Sequence, residues 1–244
     1  MHTSKNHLWF ALLLPVFLGS CRHFLGKRVT GDGNIRTQDR NVSSFKDVDV
    51  SGASTVYVSQ GDQPSVKVEC DDNLQPYIEV IQEGDRIVIK EKRGFNLHSD
   101  MNINVYLTSP VYNRISASGA CDIIGKTKIT NPENLELHVS GAGDIKMEVD
   151  APELKAKLSG SGDINLKGHT KDVDLTLTGA ASAKCYDLLA ENTTVDISGA
   201  GDADVYASVR LDASVSGAGS VNYKGNASSV NQHVSGAGSV NKAN

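Results

Sequence analysis

From about residue 45 onward, apolar and polar residues alternate with a period of two. In LELHV (135–139), Leu135, Leu137 and Val139 share one side; in IKMEV (145–149), Ile145, Met147 and Val149 do. The alternation returns in LKAKL (154–158), INL (164–166), VDLTLT (173–178) and TVDIS (194–198). Such a period marks strands with one face in a core and the other in water. Upstream, TVYVSQ (55–60), SVKVEC (65–70), RIVIKEK (86–92) and MNINVYL (101–107) read the same way. Their connections are longer and more varied, notably RGFNLHSD (93–100). No stretch has capped helical spacing, apart from a short turn near 73–80. The prediction is an all-β chain.

The strands are punctuated by a recurring turn. Its copies begin at Ser118, Ser140, Ser159, Thr178, Ser198, Ser216 and Ser235, and most read Ser-Gly-Ala-Gly-Asp or Ser-Gly-Ala-Gly-Ser. The starts are 22, 19, 19, 20, 18 and 19 residues apart, and an eighth, Ser51-Gly52-Ala53-Ser54, lies 67 residues before the first. A fixed period near twenty predicts a β-solenoid. Each repeat reads as two short strands, one SGxGD corner and one looser corner, such as DAPE (150–153) or GHTKD (168–172). Stacked corners lie about 4.8 Å apart, so bulky side chains there collide. Glycine permits the sharp change of direction, and Ser and Asp can satisfy turn N–H groups. The motif is therefore first a structural device. Residues 40–116 read as wider, irregular N-terminal coils and 117–244 as the regular repeats. Two packed β units are the alternative for the first part.

The first twenty residues differ. They carry Lys5, then an apolar run from Leu8 to Leu18, too short for a comfortable membrane span but typical of an export signal. Leu18-Gly19-Ser20-Cys21 resembles a bacterial lipobox, which makes Cys21 the expected lipidation site. Acyl chains there hold a protein to a bilayer at about 0.8 kcal/mol per buried CH₂. The alternative is a cleaved signal followed by an unmodified cysteine. Residues 21–39 then read as a polar tether. The expected location is the envelope of a Gram-negative cell, anchored to the outer membrane, with the face left open. The whole chain has a net charge of −5, and removal of 1–20 takes away Lys5 and no acid. A net acidic chain without a basic block is a poor partner for nucleic acid.

Candidate chemistry is sparse. Asp122, Asp144 and Asp163 fall on successive corners, with Asp202 further along, and predict a column of carboxylates. Neighbours 4.8 Å apart repel by about 0.9 kcal/mol in water, which turn N–H donors or an intervening cation can offset. Calcium suits oxygen ligands, but a period near twenty is not the dense Asp pattern of a calcium-binding roll. No metal site and no cofactor is expected. Cys70, Cys121 and Cys185 lack the spacing of a zinc site and read as small buried residues, although a disulfide between two of them is open. A polysaccharide-cleaving enzyme is a second possibility. Its Ser/His/Asp or paired-carboxylate arrangement is not identifiable by spacing, and the one Trp, Trp9, lies in the signal. Sugar stacking would fall to residues such as Tyr57 or Phe95. The favoured reading is a non-catalytic binding or scaffold module that meets a glycan, a protein or another copy of itself.

Residues 40–80 open with Phe45, Val48, Val50, Ser51 and Gly52 as F-x-x-V-x-V-S-G. They continue with Val56, Val58, Ser59, Gln60, Gly61 and Asp62 as V-x-V-S-Q-G-D, ahead of the SGxGD ladder. In this order the motifs resemble the bacterial family called putative auto-transporter adhesin, head GIN domain, over roughly 40–223. The resemblance implies an all-β, right-handed parallel β-helix-like fold. It also implies an exported protein, often a lipoprotein, of the Bacteroidetes. It brings an adhesion role by name, and no catalytic residues.

Overall fold

A computed structural model describes residues 26–243. The expected signal 1–20, Cys21 and the start of the tether lie outside the described residues. The described chain is all-β with one 3₁₀ helix, Asp72–Tyr77. The first eight strands are β1 (Lys27–Thr30), β2 (Ile35–Arg40), β3 (Asp47–Gln60), β4 (Ser65–Asp71), β5 (Ile78–Glu83), β6 (Arg86–Glu91), β7 (Phe95–His98) and β8 (Asn104–Ser109). The repeat region holds β9 (Arg114–Thr130), β10 (Asn134–Ala142), β11 (Ile145–Lys184), β12 (Leu188–Gly199), β13 (Asp202–Tyr206), β14 (Arg210–Gly217), β15 (Ser220–Lys224), β16 (Ser229–Gly236) and β17 (Ser239–Lys242).

Fifteen strands form one open sheet system; β1 and β7 pair separately. In the repeat region the strands pair parallel and, apart from one shift between β9 and β11, in register, with Ser140 beside Ser118 and Ser159, and Ser216 beside Ser198 and Ser235. The alternation then sorts the side chains. Leu135, Leu137, Ile145, Val149, Leu154, Ala156, Leu175 and Leu177 are buried, each at most 1% exposed. A fully buried Leu or Ile contributes about 1.5–3 kcal/mol, so this small-residue core rests on many modest contributions.

The sheet is mixed rather than parallel throughout. β2–β4, β4–β8 and β5–β6 are antiparallel. The last pair is a hairpin across Gly84-Asp85, and Gly84 has φ +62°. Two-residue turns of this kind match the twist of antiparallel strands. A second difference concerns the expected tether. From Lys27 it is largely strand: β1 lies on β7, and the whole of β2 pairs with β4. Asp71, 2% exposed, secures this region. Its carboxylate accepts from the Gly33 N–H at 2.7 Å and from the Ser99 hydroxyl, and these bonds hold its pKa below the usual range, the Ser99 bond most.

The corners are paired like the strands. β11 runs for 40 residues through two of them without interruption. Gly141 has φ +125°, and a Cβ there would lie 2.2 Å from the Gly119 carbonyl oxygen. Gly199 repeats this against Gly179, at φ +132° and 2.2 Å. From Gly119 to Gly236, the first glycine of each corner is thus required twice: by its own backbone and by the carbonyl of the corner before.

Candidate functional site

The aspartates do form a column. The Asp144 N–H donates to Asp122 Oδ1 at 3.0 Å, and the Asp163 N–H donates to Asp144 Oδ1 at 2.8 Å. Lys184 Nζ closes this run on Asp163 Oδ2 at 2.7 Å, and that bond raises the lysine's pKa. Asp202 sits two coils on from Asp163 and accepts from the Ser220 N–H at 2.9 Å. Asp122, Asp144 and Asp202 therefore each cap a backbone donor of the next corner, and Asp163 pairs with Lys184 instead. This explains how like charges persist in one column: the charge-assisted bonds outweigh a repulsion of roughly 1 kcal/mol. Among the described residues, no group of three or more His, Cys, Asp or Glu is placed to hold a metal.

Tyr57 and Phe95 both spend ring faces on other rings. Tyr57 on β3 stacks on Tyr106 of β8, with centroids 5.0 Å apart and planes 16° apart. Lys126 Nζ lies 4.4 Å from the Tyr57 centroid. It is carried there by a register shift, in which the two-residue step from Lys146 to Glu148 of β11 faces the four-residue step from Ile124 to Lys128 of β9. The Tyr106 hydroxyl and the Asn104 amide donate to Glu69, whose pKa is lowered mainly by the Asn104 bond. Phe95 packs on Tyr77 at 4.6 Å, beside the start of β1. The two candidate aromatics are thus not brought together.

Cys70, Cys121 and Cys185 are free and buried. Burial pushes the Cys70 thiol up to about 11 and Cys185 to about 12, leaving both protonated and unreactive at neutral pH.

A groove that the spacing did not reveal lies over the loose corners. Its volume is about 530 Å³, within the range of small-ligand sites. Four successive coils supply it: Asp150 and Pro152, then His169 and Lys171, then Leu189 and Glu191, then Tyr206 and Ser208. Register explains the grouping, because His169 lies beside Leu189 and the Ser208 N–H donates to the Ala190 carbonyl. Leu189 is 43% exposed, unusual for a leucine in this fold. Asp150 pairs with Lys128 at 2.6 Å, whereas among the described residues Lys171 and Glu191 form no ion pair. One local signal existed: Leu188-Leu189 breaks the alternation, so one leucine must face outward.

A family model described as putative auto-transporter adhesin, head GIN domain, matches residues 44–227. The chain belongs to this family. Solved structures share the GIN-domain fold. A putative adhesin from Bacteroides fragilis superposes with a TM-score of 0.84 at 22% identity, covering 88% of this chain and 100% of its own. A putative lipid binding protein from Parabacteroides distasonis gives 0.73 at 24% identity, over 89% and 100%. A putative adhesin from Parabacteroides merdae gives 0.64 at 20% identity, over 90% and 100%. At these identities the likeness establishes the fold alone. No curated protein matches the chain.

Proposed function

We propose that this GIN-domain protein is a non-catalytic, adhesin-like module of the cell envelope that holds a glycan in the groove over its loose corners. In this reading, residues 1–20 direct export, and lipid on Cys21 anchors the chain to the outer membrane through a short tether ending near Gly26. The paired body from residue 40 winds as a right-handed β-solenoid, irregular to 116 and regular beyond. The groove is the observation that carries the binding role. It joins an apolar patch, Leu189 with the ring of Tyr206, to Glu191, Lys171, His169 and Ser208, whose hydrogen-bonding groups suit sugar hydroxyls. It also crosses four coils, about 14 Å at 4.8 Å per step, which suits a short segment of polymer.

An array of neutral and acidic oligosaccharides, probed with the full chain in detergent, tests the reading. Retention is expected on a restricted set of glycans, and Tyr206→Ala or Glu191→Ala should weaken it at least tenfold. Release of shortened sugars without retention would replace binding by cleavage.

A further inference from the structure

The stack has two unlike ends. At one, the β5–β6 hairpin and the 3₁₀ helix cover the core; Leu74 and Ile87 are fully buried. At the other, among the described residues, β16 pairs only with β14, and β17 only with β15. All eight residues of β16 are exposed, including those that face inward. Val230 is 37% and Val234 39% exposed, while their counterparts one coil earlier, Leu211 and Val215, are fully buried.

We propose that this end is a contact between two copies of the chain, joined by antiparallel pairing of β16 with itself about Gln232. Four observations favour a second copy. First, the edge is unguarded. Solitary edges are blunted by charge, proline or bulges; residues 229–236 contain no Pro, Lys, Arg, Asp or Glu, and β16 lies on β14 without a register shift. Second, the end coil is almost free of charge. Lys242 is the single Lys, Arg, Asp or Glu in residues 225–243, against five in 134–152, so two copies meet without like-charge repulsion. Third, Gln232 interrupts an apolar column. Its inward slot holds Val195 and Ala213 in coils before it. A two-fold axis at Gln232 sets Val230 against the partner's Val234 and one primary amide against another, each donating and accepting. That is the self-complementarity an isologous dimer requires. Fourth, the described chain starts far from this end: Gly26 sits against Phe95, and β2 is the far edge of the sheet from β16. The contact uses none of the groove residues and stands independently of glycan binding.

Site-directed coupling tests it with the full chain in detergent. With a short bis-maleimide, Gln232→Cys is expected to give a product of twice the chain mass. Lys146→Cys, in the middle of the stack, and the parent chain should give none. By sedimentation the parent is expected to be a dimer, and Val230→Lys combined with Val234→Lys a monomer with unchanged β dichroism. A parent chain that sediments as a monomer at every concentration would overturn the proposal. So would coupling of Gln232→Cys only into products of another mass.

Discussion

Gly141 shows how a single residue type carries the architecture. Its φ of +125° lies in a region open essentially to glycine, at a cost of about 1–3 kcal/mol for any other residue. A methyl group at 2.2 Å from the Gly119 oxygen adds overpacking worth about 1–3 kcal/mol. Gly33 is the natural control, with φ +79° and open space within 4 Å of where a Cβ would stand. Gly141→Ala should therefore lower unfolding stability by about 3 kcal/mol or more, and Gly33→Ala by about 1–2 kcal/mol. Urea titration of both variants measures the difference. Equal losses would mean that the contact between corners contributes nothing. The aspartates act beside these glycines as local caps. Asp122, Asp144 and Asp163 were legible in the sequence as a column that turn N–H groups could satisfy, but not that the donor lies on the next corner, because spacing cannot say which N–H a carboxylate accepts from.

The element that repeats is one coil, and its energetics are those of neighbours. Each stretch pairs with the one before and the one after through parallel strands, so stability is close to a sum over such interfaces. Excision of residues 160–178 joins Ser159 to Gly179 and brings the next corner onto Gly141, with every later register preserved. The shortened chain is expected to keep its β dichroism and a cooperative melt. It should also lose glycan retention, since His169 and Lys171 leave with the excised coil. Excision of 160–169 instead breaks the corner column and should abolish cooperative unfolding. If both deletions melt alike, the coil is not the unit. The regular coils were legible because one spacing recurs and Leu135, Leu137 and Val139 declare their face. The antiparallel part was not. Gly84-Asp85 offered a hairpin signal between two alternating runs. β2, by contrast, reads IRTQDR, an exposed edge with no apolar face for a pattern to reveal. The groove stayed hidden for a third reason: it arises from four loose corners with unlike sequences, which only the register brings side by side.

At the scale of the molecule, the two ends set a direction for opening. One end is closed by large buried side chains: Phe45 and Tyr112 meet edge to face at 6.2 Å beneath the first coils. The Tyr112 hydroxyl also donates to the Ser59 carbonyl at 3.0 Å. The other end exposes β16 and β17, whose outer backbone groups pair with no strand among the described residues. Local opening costs least where few apolar contacts must break, so fraying should start at residues 229–242 and advance toward β11. Hydrogen exchange followed by mass spectrometry measures this. In dilute protein, amides of β16 and β17 should exchange orders of magnitude faster than those of β11 and β12. Raising the protein concentration should then slow β16 selectively, because pairing with a second copy occupies its free edge, while β2 at the far edge keeps its rate. Uniform protection along the stack would remove the directional account. A gradient that ignores concentration would keep the open end but leave it without its partner.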